Sequence, residues 1–120
     1  MSEQRTKILL LHILEDLSDI REFIAGASQD AFASDKMMRK AVCQSILNIG
    51  EAIKSLPQVF LDRNPEIPWR SIVAMRNHTA HGYHSLQMDI VWAIATHDVP
   101  QLIPVIKREL ESIREKEEQK

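Results

Sequence analysis

Residues 9–24 read Leu-Leu-Leu-His-Ile-Leu-Glu-Asp-Leu-Ser-Asp-Ile-Arg-Glu-Phe-Ile, and the placing of their apolar side chains decides the fold class. Leu10, Ile13, Leu17, Ile20 and Ile24 recur at alternating steps of three and four. That is the period of a helix with one face against a core. Leu9, Leu14 and Phe23 widen the stripe, so this helix meets more than one neighbour. A first helix is predicted from about Glu3 to Ala25, with Gly26 ending it.

The same period continues downstream. Met38, Val42, Ser45, Ile49, Ala52 and Leu56 line one face of a second helix. Ser34 is its predicted N-cap, Asp35 lies in its first turn, and Pro57 stops it. Between the two helices lies a loop with a short turn around Ala31-Phe32. Gly50 sits inside the second helix at roughly 1 kcal/mol against Ala, which either a close backbone approach or simple tolerance explains. Residues 57–68 hold three of the five prolines and read as a connection pinned by Phe60 and Leu61. Pro68 opens a third helix, from Trp69 to about Ala80, with Ile72, Val73 and Met75 on its apolar face. Gly82 terminates it. Asp89 or Gln87 starts a short fourth helix containing Ile90, Val91, Trp92 and Ile94. Asp98 caps a fifth, with Pro100 in its first turn, and Pro104 either kinks that helix or marks its true start.

Bulk properties agree with an all-α bundle of four to five helices. The chain has 120 residues, 44% hydrophobic and 27% charged, enough for one domain with a modest core that a partner would help. Only three glycines occur, and no β-branched alternation suggests strands. The expected layout is a single domain over 1–120, with its core at about 5–110 and a charged tail at 111–120 that frays. A net charge of −2 gives no global basic field, so any RNA contact must come from a local patch. The lone Cys43 excludes an intramolecular disulfide and fits a reducing compartment. No apolar run approaches a membrane span, and the N-terminus lacks the apolar segment of a signal peptide. A cytoplasmic location without membrane contact is expected.

Chemistry concentrates at residues 76–83, Arg-Asn-His-Thr-Ala-His-Gly-Tyr. The guanidinium of Arg76 is a planar fork suited to phosphate, and the imidazole of His81 moves protons near neutral pH. Five positions on a continuous helix turn through about 140°. The pair therefore converges only if the helix ends near Ala80 or if groups come from two copies of the chain. One reading makes Arg76 a phosphate ligand and His81 a general acid or base. The other makes them an Arg on a helix face and a His suited to a helix C-terminus. His78, His81 and His84 follow at steps of three, but Gly82 interrupts them and no Cys, Asp or Glu completes a shell, which argues against a metal. His12 and His97 are isolated. Tyr83 is a surface aromatic, an RNA contact or a hydroxyl open to modification. Lys36, Arg39 and Lys40 form one basic cluster; Arg63, Arg70 and Arg76 form another, better placed to steer phosphate. Trp69 and Trp92 occupy apolar-periodic positions and read as core. Asn48 and Glu51 are either plain surface residues or a second polar surface facing the site.

The octet resembles the Arg-x4-His-x-Tyr motif of HepT-type toxins, a branch of the HEPN ribonuclease superfamily. The likeness extends to Asn48-Ile49-Gly50-Glu51-Ala52, Pro65-Glu66-Ile67-Pro68-Trp69, Met75-Arg76-Asn77, Val91-Trp92 and Asp98-Val99-Pro100-Gln101-Leu102. It covers about residues 5–110 in order. Arg-x4-His alone is a weak pattern, whereas the ordered set is specific. The resemblance implies a HEPN-type up-and-down helical bundle that forms a homodimer with the two motifs face to face. It further implies a composite, metal-independent, cofactor-free ribonuclease site. There Arg76 and His81 are catalytic and Asn77 helps position RNA phosphate. An MntA-type nucleotidyltransferase antitoxin would block the toxin by transferring AMP to Tyr83. Glu51 belongs to the second-helix signature, with no chemistry assigned. A non-catalytic helical partner of a nucleotidyltransferase is the competing expectation.

Overall fold

Ser2 starts the molecule's first helix: its hydroxyl accepts from the Arg5 amide at 3.1 Å, satisfying a donor that the helix itself leaves unpaired. The structure, a computed structural model, describes residues 2–80 and 85–119, with side chains described throughout except at 75–87. Helix α1 spans Glu3–Ile24 and buries Leu10, Ile13, Leu17 and Ile20, the stripe its sequence spacing requires. Gly26 follows with φ of 77°, a left-handed turn that L side chains resist. The Ala27 amide then closes on the Ile24 carbonyl at 2.9 Å.

Two connections expected as loops contain short helices. Helix α2, Gln29–Ser34, is capped by the Ser28 hydroxyl and buries Phe32 completely. Phe32 meets Trp92 with ring centroids 5.2 Å apart, so an aromatic pair fixes the turn. Helix α3, Lys36–Lys54, corrects the expected cap: Asp35, not Ser34, accepts from the Met38 amide at 3.0 Å. Ser34 instead closes α2, donating to the Asp30 carbonyl. Helix α4, Gln58–Arg63, buries Phe60 beside Trp69. Both tryptophans thus serve packing.

Helix α5, Trp69–Ala80, has the predicted bounds. Its start is pinned by Trp69, whose Nε1 donates to the Asn64 carbonyl at 2.9 Å. Helix α6, Ser85–Ala93, begins before both expected start points, and Asp89 lies inside it. A π-helical turn, Ile94–Asp98, then leads into helix α7, Val99–Glu118. Here the prediction of an Asp98 cap fails. Asp98 has helical torsions and makes no capping bond, because the chain passes from α6 to α7 without leaving helical geometry. Pro104 lies within α7 on its exposed side. The helix continues to Glu118, buries Ile113 and ties Glu117 to Lys7 of α1 at 3.0 Å.

The long helices pack in the order α5, α3, α1, α7, with α6 and the π turn bridging α2, α1 and α7. The fold is an all-α, HEPN-type bundle. Its core runs through all of them, from Leu10 and Leu17 to Ile46, Ile53, Ile72, Val91, Leu102 and Ile106. Cys43 is wholly buried there, and desolvation pushes its thiol up to about 11, the behaviour of a small core hydrophobe rather than a nucleophile. Among the described residues, no helix is long and apolar enough to cross a membrane.

Candidate functional site

Helix α5 carries the first half of the octet. Its position follows from packing at its N-terminal end, where Trp69 and Ile72 are buried against the core and α3 runs alongside. The backbone at Arg76 and Asn77 is therefore held on a helix anchored one to two turns away. Their side chains lie outside the described residues, as do His81, Gly82, Tyr83 and His84 entirely. The expected convergence of Arg76 with His81 falls in that segment. The histidine series at 78, 81 and 84 falls there too. Among the described residues, no group of three His, Cys, Asp or Glu side chains is placed to hold a metal.

The second polar surface resolves into a cleft. Glu51 and Asn48 of α3 face His12, Glu15 and Asp16 of α1 across an open space of about 300 Å³. Asn48 is oriented from both sides: its Oδ1 accepts from Gln44 at 3.0 Å, and it bonds Asp16. Partial burial pushes the Asp16 carboxyl upward; the Asn48 bond and His12 oppose that shift, while Asp19 and Glu15 reinforce it. His12, isolated in the sequence reading, gains Asn48 and Glu51 of α3 as polar neighbours through the fold. The signal was nonetheless present. His12 and Asp16 are one turn apart on α1, and Asn48 and Glu51 are one turn apart on α3, so each pair lies on one face.

The basic residues divide differently from their grouping in sequence. Arg63 is committed to structure: it pairs with Glu109 and stands 5.9 Å over the Phe60 ring. Arg39 donates to the Ala33 carbonyl and so braces the α2–α3 junction. Arg70 is exposed on the first turn of α5. Of the cluster expected to steer phosphate, Arg63 is occupied and Arg70 is available.

Comparison with known proteins bears on the whole arrangement. The family described as "Ribonuclease HepT-like" matches residues 13–109, a span that contains α3, α5 and the complete octet. The chain belongs to the HepT-like ribonuclease family. A relative from Methanocaldococcus jannaschii, provisionally named an RNase, is 33% identical over 118 residues, a match that covers 98% of each chain. A second from the same organism, also provisionally named an RNase, is 34% identical over 113 residues, covering 94% of this chain and all of the relative. A Thermococcus cleftensis protein named "Probable ribonuclease HepT" is 34% identical over 93 residues, covering 74% of this chain and 84% of its own. No solved structure matches significantly.

Proposed function

We propose that this HepT-like protein is a toxin ribonuclease that cuts RNA at a site shared by two copies of the chain. One observation carries the reading: the match to a ribonuclease family spans residues 13–109 and includes an intact Arg76-x4-His81-x-Tyr83. The proposed reaction is metal-independent. The RNA's own 2′-hydroxyl attacks the adjacent phosphorus, its proton passes to a base, and the 5′-oxygen leaves with a proton from an acid. Arg76 stabilises the charge that builds on the phosphoryl oxygens, and Asn77 helps hold the phosphate. One His81 can be either the base or the acid at a given moment. Two copies placed face to face supply both.

Tyr83 supplies the off-switch in this proposal. A partner nucleotidyltransferase of the MntA type moves AMP from ATP to the phenolic oxygen, releasing pyrophosphate and the phenol's proton. The product places a phosphodiester charge and a bulky nucleoside two residues from His81, where both repel substrate.

The test is cleavage of single-stranded RNA by purified wild type, Arg76→Ala and His81→Ala. Loss of a general acid–base group should lower kcat by about 10²–10⁴-fold, and the corresponding all-deoxy strand should remain intact. If wild type and both variants act alike, Arg76 and His81 are not the catalytic pair. Incubation of the protein with its nucleotidyltransferase partner and ATP should add one or more AMP masses at Tyr83 and stop cleavage.

A further inference from the structure

Between the C-terminal end of α3, α4 and the start of α5 lies an open groove of about 360 Å³. Its floor is apolar, made by Leu56, Leu61, Val73 and the edge of Trp69. Two cations stand on its rim: Lys54, at the last position of α3, and Arg70, in the first turn of α5. Both are exposed, and neither is paired with a carboxylate among the described residues. That sets them apart from Arg63, Arg108 and Arg114, each tied to a glutamate. The two cations flank an apolar trough, so charge and apolar surface meet at one place. The groove also has a fixed relation to the octet. Arg70 and Arg76 occupy one helix, six residues or about 9 Å apart along its axis.

We infer that this groove is a substrate subsite, holding a nucleotide of single-stranded RNA that flanks the bond being cut. The inference rests on the ribonuclease reading above for the identity of the polymer. Charge and surface select the occupant. A single strand combines phosphates, which Lys54 and Arg70 attract, with bases whose flat faces prefer an apolar surface to water. Along the helix axis the offset matches two to three steps of a stacked strand at ~3.4 Å each, with the two positions turned about 120° from each other around the helix. Gln58, the groove's one side-chain amide, donates its Nε2 to Asp62 at 2.9 Å.

The experiment uses the full chain and a short fluorescent single-stranded oligoribonucleotide, 2′-O-methylated throughout so that it cannot be cut. Affinity is measured against salt for wild type and for Lys54→Glu/Arg70→Glu, with thermal melting confirming that these exposed changes leave the fold intact. The double variant should bind at least ~10-fold more weakly, and its slope of log affinity against log salt should shrink by about 1.4, the value for two lost contacts to a single strand. Equal affinity and equal slope overturn the subsite, as does an absence of binding by wild type. Unchanged RNA affinity with a shift from dimer to monomer assigns the groove to a second copy, which also overturns it. The two readings fail separately. A wild type that binds RNA through Lys54 and Arg70 but cannot cut an unmodified strand loses the ribonuclease reading alone. Cleavage with binding indifferent to both substitutions loses the groove alone.

Discussion

Asn64 is only 1% exposed, and its polar groups are satisfied by three separate elements. Its Nδ2 donates to the Phe60 carbonyl at 3.0 Å, closing α4. Its Oδ1 accepts from Arg108 of α7 at 2.8 Å. Its own carbonyl accepts from the Trp69 indole at the start of α5. A buried amide with every group used is a positioning device, because removing it leaves its partners unpaired. Asn64→Ala keeps the backbone bond to Trp69 but strips the two side-chain bonds, one of them charge-assisted. A loss of about 2–3 kcal/mol in unfolding free energy is expected, read by urea denaturation. Because α5 carries Arg76 and Asn77, cleavage should fall at temperatures where the variant is still folded. A loss below ~0.5 kcal/mol would mean that Asn64 braces nothing.

At the scale of elements, the α6–α7 junction shows where sequence patterning stops being informative. The bundle helices α1, α3 and α5 were legible because their apolar residues recur at fixed steps and Pro or Gly punctuates their ends. The junction has the punctuation without the break. Asp98 followed by Pro100 has the pattern of a helix start, yet the chain stays helical through the π turn. The reason is tertiary: Ile94, Ala95, Val99 and Leu102 are all buried, and the extra residue per turn keeps that register against α1. Asp98 is thereby drawn partly into the core. Desolvation pushes its carboxyl above the ordinary 3.8, against a smaller opposing pull from His97. The native state then holds a proton that the unfolded chain has released, so stability falls as pH rises from 3.8 through the raised native value. Asp98→Asn removes that titration. Denaturation curves across mildly acidic pH should be flatter for the variant, and at neutral pH the variant should be no less stable than wild type. A steeper fall in the variant would reverse the sign and refute the account. Likewise α2 and α4 hid in sequence because six-residue helices are too short to show a period, and a single buried Phe holds each.

For the whole molecule, shape bears on assembly. The bundle measures 51 × 26 × 22 Å with a Cα radius of gyration of 14.9 Å, against roughly 13.6 Å for a compact domain of this length. A long, narrow bundle has more surface per buried residue than a round one, and so gains more from a partner. The motif names Arg76 and His81 as candidates, and α5 ends at Ala80, between them; their mutual geometry lies outside the described residues. The groove beneath Arg70 has no linear signature, since α3, α4 and α5 meet only in the fold, whereas the cleft around Asp16 shows in sequence only as two polar pairs, each one turn apart on its own helix. A site shared between copies makes activity depend on assembly. Well below the dimer dissociation constant, the dimer fraction falls in proportion to concentration, so a tenfold dilution should lower cleavage per protomer about tenfold. Well above that constant, cleavage per protomer should be flat. The melting temperature should rise with concentration over the same range, because only the native state dimerises. Sedimentation run alongside the assay identifies the species present. Constant cleavage per protomer in a sample shown to be monomeric would place the acid, the base and the phosphate ligand within one chain, and the shared site would have to be abandoned.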